Sequence, residues 1–262
     1  MSASESTPAA KDTAVILAAA GRSSRYLASG GGDADGSTSK IFRPLLGREM
    51  WRHSVERFRQ VDRVGPIYIA LSPEMLEDFE EVEREYLHRN DVRPVAGGHE
   101  RYASVRNALH AIENDAVEGL IERPQLVAVH DAARPCVAID AIGCVLDSAN
   151  NGGAAILASP LWGTIKRGDA AGVIIETVPR ENLYQATTPQ AFRFEVLLRG
   201  YADANIEAAG GSITDDAQLV ALAGYRVHIC VDAATNIKVT TAGDMLLAEL
   251  ILRAEAGELE RS

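Results

Sequence analysis

Residues 14–47, AVILAAAGRSSRYLASGGGDADGSTSKIFRPLLG, set two arginines and a lysine around a turn built almost wholly of small residues. Val15, Ile16 and Leu17 supply a strand. Ala18, Ala19, Ala20 and Gly21 then let a ligand approach the backbone closely, because nothing larger than a methyl group stands in the way. Arg22, Arg25 and Lys40 bring positive charge to the strand's carboxyl end, where open α/β sheets bind ligands. The chemistry that suits this stretch is capture of an anion such as a nucleotide polyphosphate. It is not GxGxxG, since Ser23 stands where a glycine is expected, and not GxxxxGK[ST], so neither a dinucleotide fingerprint nor a P-loop is present. The run SGGGDADGST before Lys40 reads as either a working loop or a tolerated insertion.

Four further segments carry groups of the same kind. In GGHERYASVRNAL at 97–109, Gly97 and Gly98 follow a strand and Ser104 sits early in a helix, offering backbone amides and a hydroxyl to phosphate or base-edge acceptors. A plain helix start with polar residues facing water reads equally well, and Arg101 fits an ordinary first-turn surface residue. VAVHDAARP at 127–135 ends an apolar strand on His130 and Asp131. Asp131 there suits Mg²⁺, directly or through water, or an arginine partner, while His130 reads as a hydrogen-bonded packing residue. VPRENLYQATTPQAF brings Arg180, Thr187 and Thr188, donors suited to a phosphate monoester. In DAATNIKVTTAGD, Lys238 lies in a short β-like NIKVT segment, facing either solvent or the cleft.

The elements that must hold these groups alternate. The runs VILAA, PIYIALS, VRPVAG, QLVAVH and AAILASP are separated by helical patterns, which indicates βαβ units and a mainly parallel sheet with helices on both faces. Tyr102, Val105, Leu109 and Ile112 form one apolar helical stripe. At 161–189 the pattern changes: TIKR and VIIETV flank a Gly-Asp-Ala-Ala-Gly turn and predict a protruding hairpin. A polar-faced hairpin cannot bury itself alone, so it is expected to pack on a second subunit. A helix follows near 191–202, then a strand VHICV, then a helix opening near Thr241 with Asp244 in capping-box position. Residues 1–11 and 256–262 are expected to be tails around a single domain at 12–255.

With 262 residues, 47% of them hydrophobic, the chain is long enough for one α/β core. Its net charge of −11 argues against non-specific nucleic-acid binding. Cys136, Cys144 and Cys230 form no CxxC pair and read as reduced thiols. Neither a signal peptide nor an apolar run of membrane-spanning length is visible, so a cytoplasmic location without membrane attachment is expected.

The joint order of these segments (AAG…R…K, GGxxRxxSV, HDAARP, a T-I-K hairpin, RxxLxxxxTPQ, TDD, and NIKVT before a last helix) resembles 2-C-methyl-D-erythritol 4-phosphate cytidylyltransferases over residues 14–252. The resemblance implies a Rossmann-like domain whose β-arm clasps a second subunit to make a homodimer. It also implies CTP and a polyol phosphate as substrates and a divalent cation such as Mg²⁺. By that resemblance Arg25 and Lys40 stabilise charge at the α-phosphoryl group, and Arg180 and Lys238 position the substrate phosphate. Ala19, Ala20, Gly21, Gly97 and Ser104 line the cytidine site, Asp131 is the magnesium-associated aspartate, and Thr164 and Thr188 contact substrate. Ser23 in place of the usual glycine, a longer loop before Lys40, and Ile-Phe-Arg after it depart from the pattern. A ribitol 5-phosphate cytidylyltransferase shares most of these motifs, and a catalytically silent nucleotide-binding protein would keep the fold.

Overall fold

The computed structural model describes residues 11–21, 23–31, 39–210 and 212–258. Arg22, most of the SGGGDADGST run, most of the expected amino-terminal tail and the last residues of the carboxyl-terminal one lie outside the described residues. The chain runs β1 (Thr13–Ala18), α1 (Met50–Arg59), β2 (Val64–Leu71), α2 (Pro73–Arg89), β3 (Val92–Ala96), α3 (Arg101–Val117), β4 (Leu126–Asp131), α4 (Ile139–Gly152) and β5 (Ala154–Pro160). Then come the hairpin strands β6 (Ile165–Gly168) and β7 (Ile174–Val178), followed by β8 (Tyr184–Arg193), α5 (Phe194–Gly200), α6 (Asp203–Ala208), α7 (Asp216–Leu222), β9 (His228–Val231) and α8 (Ala242–Glu255).

Seven strands form one sheet in the order β9-β5-β8-β4-β1-β2-β3. The pairs β1–β2, β1–β4, β2–β3 and β9–β5 are parallel, and β8 runs antiparallel between β4 and β5. Alternation along β1 explains the layering. Val15 and Leu17 face one side, where Trp51, Val55 and Phe58 of α1 and Ile142, Val145 and Leu146 of α4 close the core. Ala14 and Ile16 face the other, against Val105, Leu109 and Ile112 of α3 and Leu219 and Val220 of α7. With few aromatics to fill space, branched aliphatic side chains make most of both layers. A sheet buried on both faces needs strands apolar on both sides, as β1 and β4 are.

Two expectations about local structure are corrected. The segment at 191–193 is not helical but is the end of β8, and α5 starts only at Phe194. TTPQAF lacks a two-residue alternation because β8 is covered on both faces and flanked by strands on both edges. NIKVT is not a strand; residues 236–240 form an irregular segment whose Val239 N–H bonds to the Ala133 carbonyl. Asn236 fixes its start through the Thr188 carbonyl (2.9 Å) and Asp232 (2.7 Å).

Within 161–189 a hairpin is present, with β6 and β7 antiparallel, but from Tyr184 onward the segment is β8 of the main sheet and Thr187 and Thr188 are buried. The hairpin's turn is closed by the Asp169 side chain, which accepts from the Ala171 and Val173 amides at 2.9 Å. Trp162, Ile174 and Ile175 on this arm are exposed. No helix among the described residues is long and apolar enough to cross a membrane.

The last helix begins where the sequence places it. The Thr241 hydroxyl accepts from Asp244 N, and the Asp244 carboxylate accepts from Thr241 N (2.8 Å) and Thr240 N (2.7 Å), a complete capping box. These bonds hold the Asp244 carboxyl below its ordinary range despite partial burial. Replacing Thr241 with Ala is expected to cost about 1 kcal/mol, read as a lower urea midpoint with unchanged m-value.

Candidate active site

The carboxyl ends of β1, β2, β3 and β4 open onto a cavity of about 660 Å³. Register sets its floor: Ala18, the last residue of β1, pairs with Asp131 on β4 and with Ala70 on β2. Ala19, Ala20 and Gly21 continue from β1 along the cavity wall, and a Cβ at Gly21 would meet nothing within 4 Å. That open space is where a ligand can reach the backbone. Gly97 is the opposite case: a Cβ there would lie 2.7 Å from Ala20 Cβ and 2.9 Å from the Leu71 carbonyl oxygen. Only glycine lets the loop after β3 pack against the turn after β1.

The expectation that Gly97 and Gly98 offer free amides and Ser104 a hydroxyl is corrected: the Gly97 N–H donates to the Leu71 carbonyl (2.6 Å) and the Gly98 N–H to Ser104. Ser104 Oγ accepts that bond at 3.0 Å and lies within bonding reach of the Gly98 and Glu100 carbonyls. It shapes the glycine turn, while the first turn of α3 has no side-chain cap.

Lys40 enters the cavity on a 3₁₀ turn, Lys40–Phe42. Its backbone N–H donates to Ser23 Oγ (3.1 Å), and its ammonium donates to the Val239 carbonyl (2.6 Å). Ser23 also lies 3.2 Å from Ser39 Oγ and has a φ of 53°. The serine thus accepts a backbone conformation that glycine adopts more easily, and its hydroxyl joins the two ends of the loop. Burial, with Lys238 and Arg25 nearby, lowers the Lys40 pKa to about 8, while Asp131 acts in the opposite direction. Arg25 lines the same cavity.

Asp131 is nearly buried and receives Lys238 Nζ on Oδ2 (2.6 Å) and Arg101 Nε on Oδ1 (3.0 Å). Burial opposes its ionisation, but Arg101 and Lys238 prevail and hold the carboxyl far below its ordinary range. Lys238 therefore points into the cleft. Arg101, Asp131 and Lys238 also line a second cavity of about 270 Å³, bounded beyond them by Arg134, Thr187, Thr188 and Asp215.

His130 and Thr188 fix Asp131 from behind. The Thr188 hydroxyl oxygen accepts from Asp131 N (3.0 Å) and meets His130 Nδ1 (3.0 Å), while His130 Nε2 bonds the Arg134 carbonyl (3.1 Å). A carbonyl only accepts, so Nε2 carries the proton and Nδ1 accepts from Thr188. Burial pushes the imidazole pKa down to about 4, so the ring is neutral. His130 is the packing residue its sequence context suggests. Thr188 is corrected in role: its hydroxyl is committed to the Asp131 turn, although the residue borders the second cavity.

These contacts gather cationic side chains around one buried carboxylate at a strand edge, and comparison with known proteins names the family. A family profile described as IspD: 2-C-methyl-D-erythritol 4-phosphate cytidylyltransferase matches residues 13–254. The chain belongs to this family. Among its relatives, the enzyme so named from Solibacter usitatus is 39% identical over 93% of this chain and 96% of its own length. A solved structure from Thermus thermophilus superposes with a TM-score of 0.69 at 28% identity, covering 91% of this chain and 98% of that one. Another, from Francisella tularensis, gives 0.71 at 26% identity over 92% and 99%. The fold and reaction class expected from the motifs are thereby established: an α/β cytidylyltransferase, a nucleotidyltransferase.

Of the residues that family resemblance singles out, Ala19, Ala20, Gly21, Arg25, Lys40, Gly97, Ser104, Asp131 and Lys238 line the larger cavity. Arg180 and Thr164 do not. Both are exposed on the arm, where the Arg180 guanidinium bonds the Trp162 carbonyl. Arg101, expected as an ordinary surface residue, bridges two carboxylates, and its place in GGxxRxxSV is the signal for it in the sequence. Asn236 was visible only as a letter of the NIK motif.

Lys40 carries its charge below pH 8, and a bound polyphosphate favours that charged form. Affinity for a nucleoside triphosphate is therefore expected to be full below about 8 and to weaken by up to about tenfold per pH unit above it. Calorimetric titration from pH 7 to 9.5 checks this. Lys40→Arg, charged throughout, is expected to flatten the profile.

Proposed function

We propose that this protein transfers the cytidylyl group of CTP to 2-C-methyl-D-erythritol 4-phosphate, giving 4-diphosphocytidyl-2-C-methyl-D-erythritol and pyrophosphate. The observation that carries the reading is the convergence of Lys40, Arg25 and Lys238 on one cavity at the Asp131 strand edge, in a chain matching the family from residue 13 to 254. A phosphate oxygen of the alcohol phosphate attacks the α-phosphorus of CTP. The bond from that phosphorus to the bridging oxygen breaks, and pyrophosphate leaves. The nucleophile is already an anion, so the site needs alignment and charge neutralisation more than a general base. That fits a cavity furnished with lysine and arginine, while His130, kept neutral by burial, lines neither cavity. Lys40 and Arg25 balance charge on the triphosphate, the backbone around Ala19 to Gly21 and Gly97 receives the cytidine, and Lys238 faces the incoming phosphate.

Among the described residues no group of three or more His, Cys, Asp or Glu forms a ready-made cage for a metal. One carboxylate at the strand edge still fits Mg²⁺, which is commonly held by one or two carboxylates together with substrate phosphates. Asp131 would hold it, directly or through water, and the ion would supply neutralisation of the triphosphate. The three cysteines are free, which suits a reducing compartment such as the cytoplasm.

Purified protein is expected to release pyrophosphate from CTP and Mg²⁺ only when 2-C-methyl-D-erythritol 4-phosphate is added. Much faster turnover with ribitol 5-phosphate would overturn the substrate assignment, and CTP binding without turnover on either would favour a silent binder.

The arm is read as a dimer clasp that carries Arg180 and Thr164 into the partner's cleft. Its exposed apolar residues and the absence of both side chains from the lining of the two cavities described above support this. Mixing Arg180→Ala with Lys40→Ala, each inactive alone, is expected to restore about a quarter of full activity. Half of randomly mixed two-fold dimers then hold one intact site of two. No recovery after subunit exchange would sink the clasp reading.

A further inference from the structure

Asp216 occupies the first position of α7, yet the helix does not need it as a cap. Asp215 already does that, its carboxylate accepting from Gln218 N at 3.0 Å. Gln190 of β8 fastens the same helix start, donating to Asp215 (3.0 Å) and accepting from Ala217 N (3.0 Å). Asp216 is nevertheless fully buried, and a buried carboxylate is costly unless its partners are well placed. It has two. Arg101 Nη2 donates to Oδ2 at 2.8 Å, and the Tyr201 hydroxyl donates to Oδ1 at 2.5 Å.

Arg101 is thus gripped at two points. Its Nε goes to Asp131 and its Nη2 to Asp216, and a planar guanidinium held at two nitrogens has its orientation fixed. Two of its five N–H donors are used in this way, leaving three without a partner among the described residues. Arg101 lines both cavities, whereas Asp216 lines neither. Without Asp216 the guanidinium would hang from Asp131 alone, at the carboxylate that Lys238 also bonds.

We propose that Asp216, seconded by Tyr201, is a positioning residue that orients Arg101, and through it Asp131 and Lys238, at the wall shared by the two cavities. The role it serves rests on the reaction proposed above. Since Asp216 touches neither cavity, its effect on turnover must pass through Arg101.

The test is a double-mutant cycle of Asp216→Asn with Arg101→Lys, each assayed for kcat and for both KM values. Asp216→Asn is expected to lower kcat/KM for the alcohol phosphate by about 10- to 100-fold, the scale of a displaced active-site group. The KM for CTP should change far less. In the Arg101→Lys background the same substitution should cost almost nothing more, since coupled sites are non-additive. Unchanged kcat/KM in Asp216→Asn, or additive losses, would overturn the proposal. Should Asp216→Asn not fold, Tyr201→Phe replaces it, with a smaller loss and the same non-additivity required.

A second readout needs no turnover: the Arg101 Nε–H signal in ¹⁵N NMR. It should exchange slowly with water in the unaltered protein and rapidly in Asp216→Asn or Tyr201→Phe. An equally slow signal in the variants would refute the positioning role. A protein with that signal but no turnover would count against the functional reading alone.

Discussion

A single carboxylate, Asp131, is the point on which the site is built. It stands at the end of β4, beside the end of β1, and is all but removed from water. A buried anion of this kind is tolerable only with close cationic partners, and Arg101 and Lys238 supply them from α3 and from the loop before α8. Residues far apart in sequence are drawn to one strand edge by that requirement. Lys40 and Arg25 lie near it on the same cavity, so cationic side chains gather at this edge in a chain whose net charge is −11.

The support behind Asp131 is neutral and hydrogen-bonded. Thr188 accepts its backbone N–H, His130 accepts from Thr188, and His130 donates to the Arg134 carbonyl. Each of these groups satisfies the next, while the buried Arg134 Nε is left without a hydrogen-bond partner among the described residues. A similar chain of bonds, from Thr187 through Asp232 to Asn236, seats the irregular segment that delivers Lys238. The working cations are long and flexible, and these short, buried polar side chains determine where their charges sit.

The loop between Arg25 and Lys40 shows how a departure in sequence is absorbed. Ser23, where the family resemblance leads to an expectation of glycine, adopts a positive φ and spends its hydroxyl on Lys40 N and Ser39. Ser29 adds a tether, accepting from the Ala242 N–H at the start of α8 (2.9 Å). The described residues on either side of 32–38 are therefore held, by Ser29 to α8 and by Lys40 to Ser23 and Val239.

Periodicity alone determined the βαβ alternation, the apolar face of α3 and the capping box at Thr241, because these depend on neighbours three or four residues away. It also marked the hairpin at 161–189, where a five-residue turn separates two β-type runs. The order of motifs determined the family and most of the cavity lining. What the sequence could not decide depends on contacts between distant segments. TTPQAF carries no strand alternation and its end is expected to be helical, yet it is an antiparallel strand inside the sheet, since only the finished sheet offers edges for it to pair with. Ser104 and Thr188 read as substrate donors, but packing placed a backbone partner within reach of each and claimed the hydroxyl first. Arg101 read as surface because its two carboxylate partners lie 30 and 115 residues away, a pairing only the fold could bring about.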